Sequence, residues 1–424
     1  MDRISDPEGF LRDLFGIAVD EADPMLSVPR NLPAKPDGRV VILGAGKASA
    51  RMAEALETVW GPCEGLVITR YGYARACKGV EIVEAAHPVP DEAGLHATRR
   101  VLNLANSLRE GDHAVALISG GASALLVAPA GRITLAEKRA VNAALLASGA
   151  PIGEMNIVRK HLSNVKGGQL AAAVHPARLL SLMISDVPGD EPALIGSGPT
   201  VGDCSKCHDV ASILEKWSID VPQSVFDVLS AQSGVLDPQD PRLALTENRI
   251  IAAPMQSLEA AAAKARESGC EVRILGDRIE GEARDVAKVH AQLALKIRRD
   301  LAAGEQEVLL LSGGELTVTR HGNGVGGPNA EYALALACEL NGADGIHAIA
   351  CDTDGVDGAA EVAGAVIGPQ TLQLARSNGQ DAELFLARND SHTFFGRIKS
   401  QVVTGPTLTN VNDFRAILIT SPSK

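Results

Sequence analysis

The stretch "VVILGAGKASARMAEALE" at residues 40–57 passes from an apolar run through a glycine turn into a segment with helical periodicity. Apolar side chains after the turn recur at the spacing of one helical face, namely Ala48, Met52, Ala55, Leu56 and Val59. The order strand, glycine turn and helix is the opening unit of an α/β fold built on a parallel sheet. This stretch therefore decides the fold class that we expect.

The glycine turn in this stretch fits neither common nucleotide-binding template. A Walker loop needs G-x-x-x-x-G-K-[ST], but Val41 stands at its first glycine and Ala48 follows the lysine. A dinucleotide fingerprint needs a third glycine where Ser49 stands and an acidic residue at the end of the next strand, which here ends in Thr69 and Arg70. The turn is therefore neither a P-loop nor a complete dinucleotide site.

What remains in the turn is Gly44, Gly46 and Lys47 at the start of a helix. Backbone amides and the helix dipole favour an anion at such a position. The alternative is a tight turn with a solvated lysine, and this loop alone does not choose between the two.

Short apolar runs alternate with helical patterns along nearly the whole chain. They lie at residues 39–43, 65–69, 113–118, 178–184, 248–253, 271–275, 306–311, 346–350 and 416–419. Many of them are continuous and do not alternate, which is typical of strands buried on both faces of a parallel sheet. We therefore predict an α/β protein.

A polar stretch with two prolines, residues 229–248, is the best candidate for a domain boundary. It predicts an N-terminal domain over residues 1–240 and a C-terminal α/β domain over residues 241–424. Residues 1–35 are the exception, because they could pack on the second domain.

The amino-acid composition limits the binding partners and the cellular compartment that we expect for this protein. A net charge of −12 argues against nucleic acid and against an anionic membrane, since both attract basic surfaces. No apolar run reaches the ~20 residues of a membrane span, and seven scattered cysteines suit a reducing cytoplasm better than a disulfide framework. "CSKCH" at residues 204–208 matches a haem-attachment spacing, but without export signals we interpret it as a chance match at a helix start.

Two further loops of the first half carry groups that suit an anion. "LISGGASALL" (117–126) offers the amides and hydroxyls of a second glycine turn, which would hold a carboxylate or phosphate, with candidates Ser119, Gly120, Gly121 and Ser123. "MNIVRKHLSNVKGGQLA" (155–171) places basic and amide side chains before a glycine pair, with candidates Arg159, Asn164 and Lys166. For this segment a solvated helix face remains the alternative.

"SDVPGDEPALIGSGPT" (185–200) follows the strand at 178–184 directly. Asp186 and Asp190 thus lie at the carboxyl end of a strand, where ligands bind in open α/β sheets. The pair could hold Mg²⁺, one of them could accept a proton from an attacking hydroxyl, or both could only stabilise a turn.

The second half repeats the pattern of strands that end in glycine and polar loops. Candidate ligand groups there are Gly313, Gly314 and Glu315 after one strand, and Gly326, Gly327 and Asn329 before a helix. Further candidates are Asp354 in "CDTDGVDG" (351–358) and Asn410 in "TGPTLTNVND" (404–413). The "CDTDGVDG" loop resembles a calcium-binding loop, but Ala363 stands where an EF-hand carries its closing glutamate. We therefore interpret it as a ligand-binding or metal-binding loop at the end of a strand.

The chain resembles the glycerate 2-kinase family, because eight motifs occur in the order seen in that family. The motifs are "GAGKAS", "HPVPDEAG", "SGGASALL", "NIVRKHLSNVKGGQLA", "SDVPGDEPALIGSGPT", "SGGE", "DTDGVDG" and "TGPTLTNVND". The resemblance runs from about residue 40 to residue 417. It implies a Rossmann-like N-terminal domain, a C-terminal MOFRL domain and a cleft between them. The chain departs from the family pattern at Pro328, where many members carry an arginine, and at Leu408, where glycine is usual.

The resemblance implies an enzyme that phosphorylates D-glycerate at its 2-hydroxyl with ATP and Mg²⁺. On that hypothesis, the 119–123 turn with Arg159 and Lys166 holds the substrate carboxylate, and Lys47 stabilises the transferring phosphoryl group. Asp190 orients or deprotonates the hydroxyl and Asp186 binds Mg²⁺, although these two roles could be exchanged. The loops of the second half would then hold ATP.

Two other classes of function stay open from the sequence. Family members are often labelled hydroxypyruvate reductase, but the incomplete fingerprint argues against a nicotinamide site. A sugar-acid sensor is the second alternative, since fold alone does not fix function. The sequence decides neither the pathway, of which the serine cycle is one candidate, nor the oligomeric state, for which a homodimer is considered.

Overall fold

The computed structural model describes residues 4–358 and 360–422. The strands are β1 Val40–Ala45, β2 Glu64–Arg70, β3 Val80–Ala85, β4 His113–Ile118, β5 Arg178–Ile184, β6 Thr246–Ala252, β7 Glu271–Gly276, β8 Gly281–Glu282, β9 Val308–Ser312, β10 Leu316–Thr317, β11 Ile346–Asp352, β12 Gly364–Ile367, β13 Gln401–Val402 and β14 Asp413–Ile419.

The α-helices lie between these strands and before the first of them. They are α1 Pro7–Glu21, α2 Pro24–Asn31, α3 Ser49–Trp60, α4 Glu92–Asn106, α5 Ala122–Leu125, α6 Leu135–Ser148, α7 Ile152–His161, α8 Gln169–Val174, α9 Cys207–Lys216, α10 Gln223–Ser230, α11 Pro254–Glu267, α12 Ala283–Asp300, α13 Pro328–Leu340, α14 Thr371–Ser377, α15 Ala382–Ala387 and α16 Ser391–Ile398.

The chain folds into two compact units. The N-terminal unit spans Pro24–Ile251, and the C-terminal unit combines Ala252 onward with the segment that ends at Asp23. The division thus falls at residue 251 and not at the expected 240. The buried side of α1, formed by Leu11, Leu14 and Phe15, packs within the C-terminal unit against α11.

The N-terminal unit is built on a six-stranded sheet with the order β3-β2-β1-β4-β5-β6. The pairs β3–β2, β2–β1, β1–β4 and β4–β5 are parallel. This is the strand order of the dinucleotide-binding fold, so the predicted Rossmann-like sheet is confirmed. The predicted helical face of α3 is buried at Met52, Ala55 and Leu56, whereas Val59 is 48% exposed because it lies in the last turn.

The C-terminal unit carries a second six-stranded sheet, with the order β13-β12-β11-β14-β9-β7. Only β7 and β9 pair in parallel, while β9–β14, β14–β11, β11–β12 and β12–β13 are antiparallel. The continuous apolar runs of these strands therefore occur in a mostly antiparallel sheet. The runs reflect burial on both faces, because α1 and α11 cover one face and α12, α13 and α16 cover the other.

Two of the remaining expectations concern cysteines and membranes. Cys207 is the first residue of α9 and the His208 side chain is 80% exposed beside Asp209, so the "CSKCH" stretch is a helix start. All seven cysteines are free thiols. Across residues 4–358 and 360–422, no helix has both the length and the apolar character needed to cross a bilayer.

Candidate active site

Two glycine turns meet at the carboxyl ends of β1 and β4 in the N-terminal unit. The Lys47 amide donates a hydrogen bond to the Gly120 carbonyl at 2.8 Å, and the Ser119 amide donates to the Ala45 carbonyl at 3.2 Å. β1 and β4 are the neighbouring strands at which the strand order reverses. In open α/β sheets the crevice at this switch point is where ligands bind.

Ser119 holds the two turns together. Its hydroxyl accepts the Ala48 amide at 3.0 Å and shares a hydrogen bond with the Ser49 hydroxyl at 3.0 Å. The side chain is completely buried, and a methyl group on Gly46 would lie 2.1 Å from its oxygen. Ser119 therefore positions the Lys47 turn, and its predicted contact with substrate stays a prediction.

The glycines beside Lys47 are explained by close backbone approach. A side chain on Gly44 would lie 2.5 Å from the Leu117 carbonyl of the neighbouring strand β4. Gly46 has φ +143°, which disfavours other residues, and its carbonyl accepts the Thr69 hydroxyl at 3.1 Å. These contacts fix the half-buried Lys47 at the start of α3.

His87, to which the sequence analysis gave no role, lies close to Gly121. A methyl group on Gly121 would lie 3.0 Å from the His87 ring and 3.4 Å from Lys47 Cγ. His87 thus lies beside the Lys47 turn. The "HPVPDEAG" motif that contains it was the available signal.

Ser123 is the second residue of α5, and its hydroxyl shares a hydrogen bond with the Ser197 hydroxyl at 2.8 Å. Ser197 donates to the Asn156 side chain at 3.3 Å. This chain of hydrogen bonds joins α5 to α7. Arg159 lies three residues after Asn156 on the same face of α7. The structure thus brings Ser123 and α7 together, and their predicted contact with a substrate anion stays a prediction.

The basic segment 159–166 is only partly a solvated face. Lys166 is 1% exposed and donates to the Leu126 carbonyl at 3.0 Å, while burial lowers the pKa of the half-buried Arg159 guanidinium. Asn164, in contrast, is exposed and donates to the Pro129 carbonyl at 3.0 Å. Arg159 and Lys166 therefore lie in the interior, and Asn164 lies apart from them at the surface.

The 186–190 loop carries an unusual carboxylate. Asp190 has φ +53°, and one of its side-chain oxygens is buried without a hydrogen-bond partner. Buried polar atoms normally have partners, so this oxygen fits a ligand hydroxyl or an oxygen-coordinated cation such as Mg²⁺. Asp186 lies in the same loop and is half-buried.

In the C-terminal unit, the turn after β9 is closed by backbone contacts. The Gly313 amide donates to the Gly276 carbonyl at 2.8 Å. Gly314 has φ +108°, and a side chain there would lie 2.3 Å from the Ile279 carbonyl. The third predicted residue of this turn, Glu315, has an exposed side chain.

The backbone amides at the start of α13, near the predicted nucleotide-binding residues, are hydrogen-bonded to the carboxylate of Asp357. Asp357 accepts the Asn329 and Ala330 amides at 2.9 and 2.8 Å. A side chain on Gly327 would lie 2.4 Å from the Asp357 carboxyl carbon, and one on Gly326 would lie 2.7 Å from the Ser391 hydroxyl. The start of α13 is thus capped internally, and the predicted contact of this segment with a nucleotide stays a prediction.

The two departures from the family pattern differ in how well they suit the local backbone. Pro328 is the first residue of α13, a position where its fixed φ is favourable and its missing amide is harmless. Leu408 has φ +63°, the left-handed region that glycine adopts most easily. The position therefore favours the glycine that other family members carry.

The acidic loop after β11 forms hydrogen bonds within the protein. The buried Asp354 accepts the Val356 amide at 2.8 Å, and Asp352 accepts the Asp354 amide at 2.9 Å. The nearby Asn410 side chain accepts the Asn412 amide at 3.3 Å. Among the described residues, no three His, Cys, Asp or Glu side chains are grouped as metal ligands.

These features define an α/β protein with a candidate ligand site at the switch point of a Rossmann-like sheet, where the Lys47 turn meets the Gly120–Gly121 turn. Comparisons with known proteins give the family. The domain of unknown function DUF4147 matches residues 10–230, and the MOFRL family matches residues 308–413.

The relatives agree with the domain matches. D-glycerate 2-kinase of Thermotoga maritima is 36% identical, over 96% of this chain and 98% of that protein. A protein of Agrobacterium vitis, whose name provisionally assigns hydroxypyruvate reductase activity, is 50% identical over 96% of this chain and 94% of its own length. The crystal structure of glycerate kinase from Thermotoga maritima matches with a TM-score of 0.87 and 34% identity, covering 97% of this chain and 99% of that one.

The chain therefore belongs to the glycerate 2-kinase family of enzymes, with a DUF4147 domain followed by a MOFRL domain. The resemblance seen in the sequence motifs is confirmed.

Proposed function

We propose that this enzyme transfers the terminal phosphoryl group of ATP to the 2-hydroxyl of D-glycerate and so forms 2-phosphoglycerate. The observation that carries the proposal is the meeting of the Lys47 turn with the Gly120–Gly121 turn at the switch point of the sheet. Two relatives that match along nearly their whole length are named glycerate 2-kinases, which supports the choice of substrate.

Lys47 provides the positive charge for phosphoryl transfer. Catalysis of this reaction depends mainly on positioning and on electrostatic stabilisation of the transferring group. The contacts of Ser119 and Gly46 fix the backbone on either side of Lys47, so its ammonium needs little reorganisation to meet the developing negative charge.

Asp190 orients the acceptor hydroxyl. Its buried oxygen without a hydrogen-bond partner would accept the proton that leaves the 2-hydroxyl as the phosphorus–oxygen bond forms. Asp186, in the same loop, would hold Mg²⁺ together with the phosphates. When bound, Mg²⁺ supplies positive charge that offsets the negative charge of the phosphate oxygens.

The C-terminal unit contributes the nucleotide-binding groups in this proposal. Glu315 and Asp354 follow the ends of β9 and β11, and Asn410 lies in the loop before β14. Gly313 and Gly314 shape the turn between β9 and Glu315. Gly326, Gly327 and Asn329 support this region indirectly, because Asp357 already binds the amides at the start of α13.

A hydroxypyruvate reductase is the second candidate, since the name of the Agrobacterium vitis relative points to it. A nicotinamide cofactor in this fold needs an acidic residue at the end of β2 for its ribose. That position is occupied by Thr69, which is completely buried and hydrogen-bonded to the Gly46 carbonyl. The geometry therefore favours the kinase.

The test is a phosphoryl-transfer assay with purified enzyme, D-glycerate, ATP and Mg²⁺. Enolase, pyruvate kinase and lactate dehydrogenase report 2-phosphoglycerate directly, so a signal without added phosphoglycerate mutase is the expected result. A signal only with the mutase would mean that the 3-hydroxyl is the acceptor. If no ADP forms while hydroxypyruvate oxidises NADH or NADPH, the reductase replaces the kinase.

A further inference from the structure

Three cationic side chains lie together in the N-terminal unit without a carboxylate beside them. Lys138 on α6 is 3% exposed, Lys166 after α7 is 1% exposed, and Arg159 lies on α7. The charges of Lys138 and Arg159 are close enough to lower the pKa of Lys166, after the larger effect of burial. We call these three residues the cation cluster.

The hydrogen bonds of the cation cluster leave most of its donors unused. Lys138 donates to the Leu162 carbonyl at 3.1 Å and Lys166 donates to the Leu126 carbonyl at 3.0 Å. Within the part of the chain that the structure describes, Arg159 makes no hydrogen bond and no ion pair. A guanidinium has five N–H donors and an ammonium has three, so the cluster has donors for a further group.

The neighbouring Lys160 is a buried lysine whose charge is neutralised within the protein, and it serves as a comparison for the cation cluster. Lys160 is 2% exposed and forms an ion pair with Asp203. Burying a cation without such a partner is costly, yet Lys138 and Lys166 are both buried without one, beside the half-buried Arg159. Perturbed, uncompensated charges of this kind concentrate at functional sites.

The cluster lies one short helix away from the Lys47 turn. Lys166 binds the carbonyl of Leu126, directly after α5, while Gly121, directly before α5, contacts Lys47. Four helical residues span only ~6 Å. The hydrogen bonds from Ser123 through Ser197 to Asn156 tie the same helix to α7, which carries Arg159.

We propose that Lys138, Arg159 and Lys166 form the subsite for the substrate carboxylate, and that Lys138 is a specificity-determining residue that restricts the acceptor to hydroxy acids. The proposal rests on the proposed function, because it assigns the acceptor group of that reaction. The 2-hydroxyl of glycerate is on the carbon next to the carboxylate, which suits two subsites at opposite ends of α5.

The chemistry of the three side chains fits a carboxylate. Arg159 presents a planar fork that can bind both carboxylate oxygens, and the two lysines add compact charges. A bound carboxylate would supply the counter-charge that the cluster lacks. A neutral polyol such as glycerol offers no charge, so it would leave the cation cluster uncompensated.

The test compares Lys138→Met with the wild-type enzyme. Binding of D-glycerate and of glycerol is measured by titration calorimetry without ATP, and KM and kcat are measured in the coupled assay. Loss of one charged hydrogen bond predicts D-glycerate binding about 10- to 100-fold weaker and a KM raised to the same extent. We expect kcat to change less than about threefold, the KM for ATP to stay the same, and glycerol to bind neither protein.

Lys206→Met is the matched control, since Lys206 is an exposed lysine of the same unit and its loss changes the net charge equally. It should bind D-glycerate as the wild type does. Unchanged D-glycerate affinity in Lys138→Met, or wild-type affinity for glycerol equal to that for D-glycerate, would overturn the subsite. A wild-type enzyme that binds D-glycerate through Lys138 but never forms ADP would support the subsite and reject the proposed kinase reaction.

Discussion

Replacing Lys138 with methionine should make the N-terminal unit more stable, and the gain should depend on pH. Lys138 is buried, and burial together with the charge of Arg159 lowers its pKa from 10.5 to about 8. Methionine has a similar length and no charge, so it removes the cost of holding a cation in the interior. The same substitution is expected to weaken substrate binding, so function and stability oppose each other at this position.

The pKa sets the size and the sign of the effect. A fall from 10.5 to about 8 corresponds to about 3 kcal/mol, at ~1.4 kcal/mol for each factor of ten in proton affinity. Between these two pH values the unfolded chain binds more protons than the folded one, so wild-type stability rises with pH. The advantage of Lys138→Met is therefore largest, about 3 kcal/mol, below pH 8 and falls to about 1 kcal/mol at pH 10.

Urea unfolding followed by tryptophan fluorescence measures this difference in the right part of the molecule. The two tryptophans of the chain, Trp60 and Trp217, both lie in the N-terminal unit. Unfolding is measured for wild type, Lys138→Met and the exposed control Lys206→Met at several values between pH 7 and pH 10. A stability difference that is the same at every pH would refute the uncompensated charge at Lys138.

Other substitutions test the geometry more directly. Lys47→Ala should fold normally but lower kcat at least ~100-fold, and near-wild-type turnover in the coupled assay would reject its role. Gly46→Ala should destabilise the protein by about 2 kcal/mol more than Gly61→Ala in urea unfolding; both glycines have positive φ, but only at Gly46 does a new methyl group meet other atoms. Asp357→Asn should lower the stability of the C-terminal unit by about 2 kcal/mol, because it removes the charge that caps α13. A calorimetric transition unchanged from wild type would contradict that capping role.

The first half of the fold could be predicted from local sequence because each of its elements carries its own pattern. The run at 40–45, its glycine turn and the α3 face each specify their structure within a few residues. Strand direction in the second sheet could not be predicted in this way. Continuous apolar runs report burial on both faces, and there helices cover both sides of a mostly antiparallel sheet.

Individual site residues were harder to predict where their partners are distant in sequence. Ser119 looked like a ligand group, but its hydroxyl accepts an amide 71 positions earlier in the chain. Asp357 looked like part of a metal or ligand loop, but it caps a helix 28 residues before it. Lys138 is a single lysine on a helix, and its burial arises only from the packing of α6 against α7. No local pattern distinguishes it from a solvated lysine.

Buried charged side chains in this enzyme fall into two kinds, those that are paired with an opposite charge within the protein and those that are not. In the C-terminal unit, buried Arg415 pairs with Asp413 at 2.7 Å and buried Glu331 pairs with Arg284 at 2.6 Å. These pairs leave no charge for a ligand to neutralise, so they hold the fold and need nothing from solution. The cation cluster of the N-terminal unit is the opposite case, because its two lysines have only backbone carbonyls as partners. An anion from outside is the partner that would complete it, and the only anionic group of glycerate is its carboxylate.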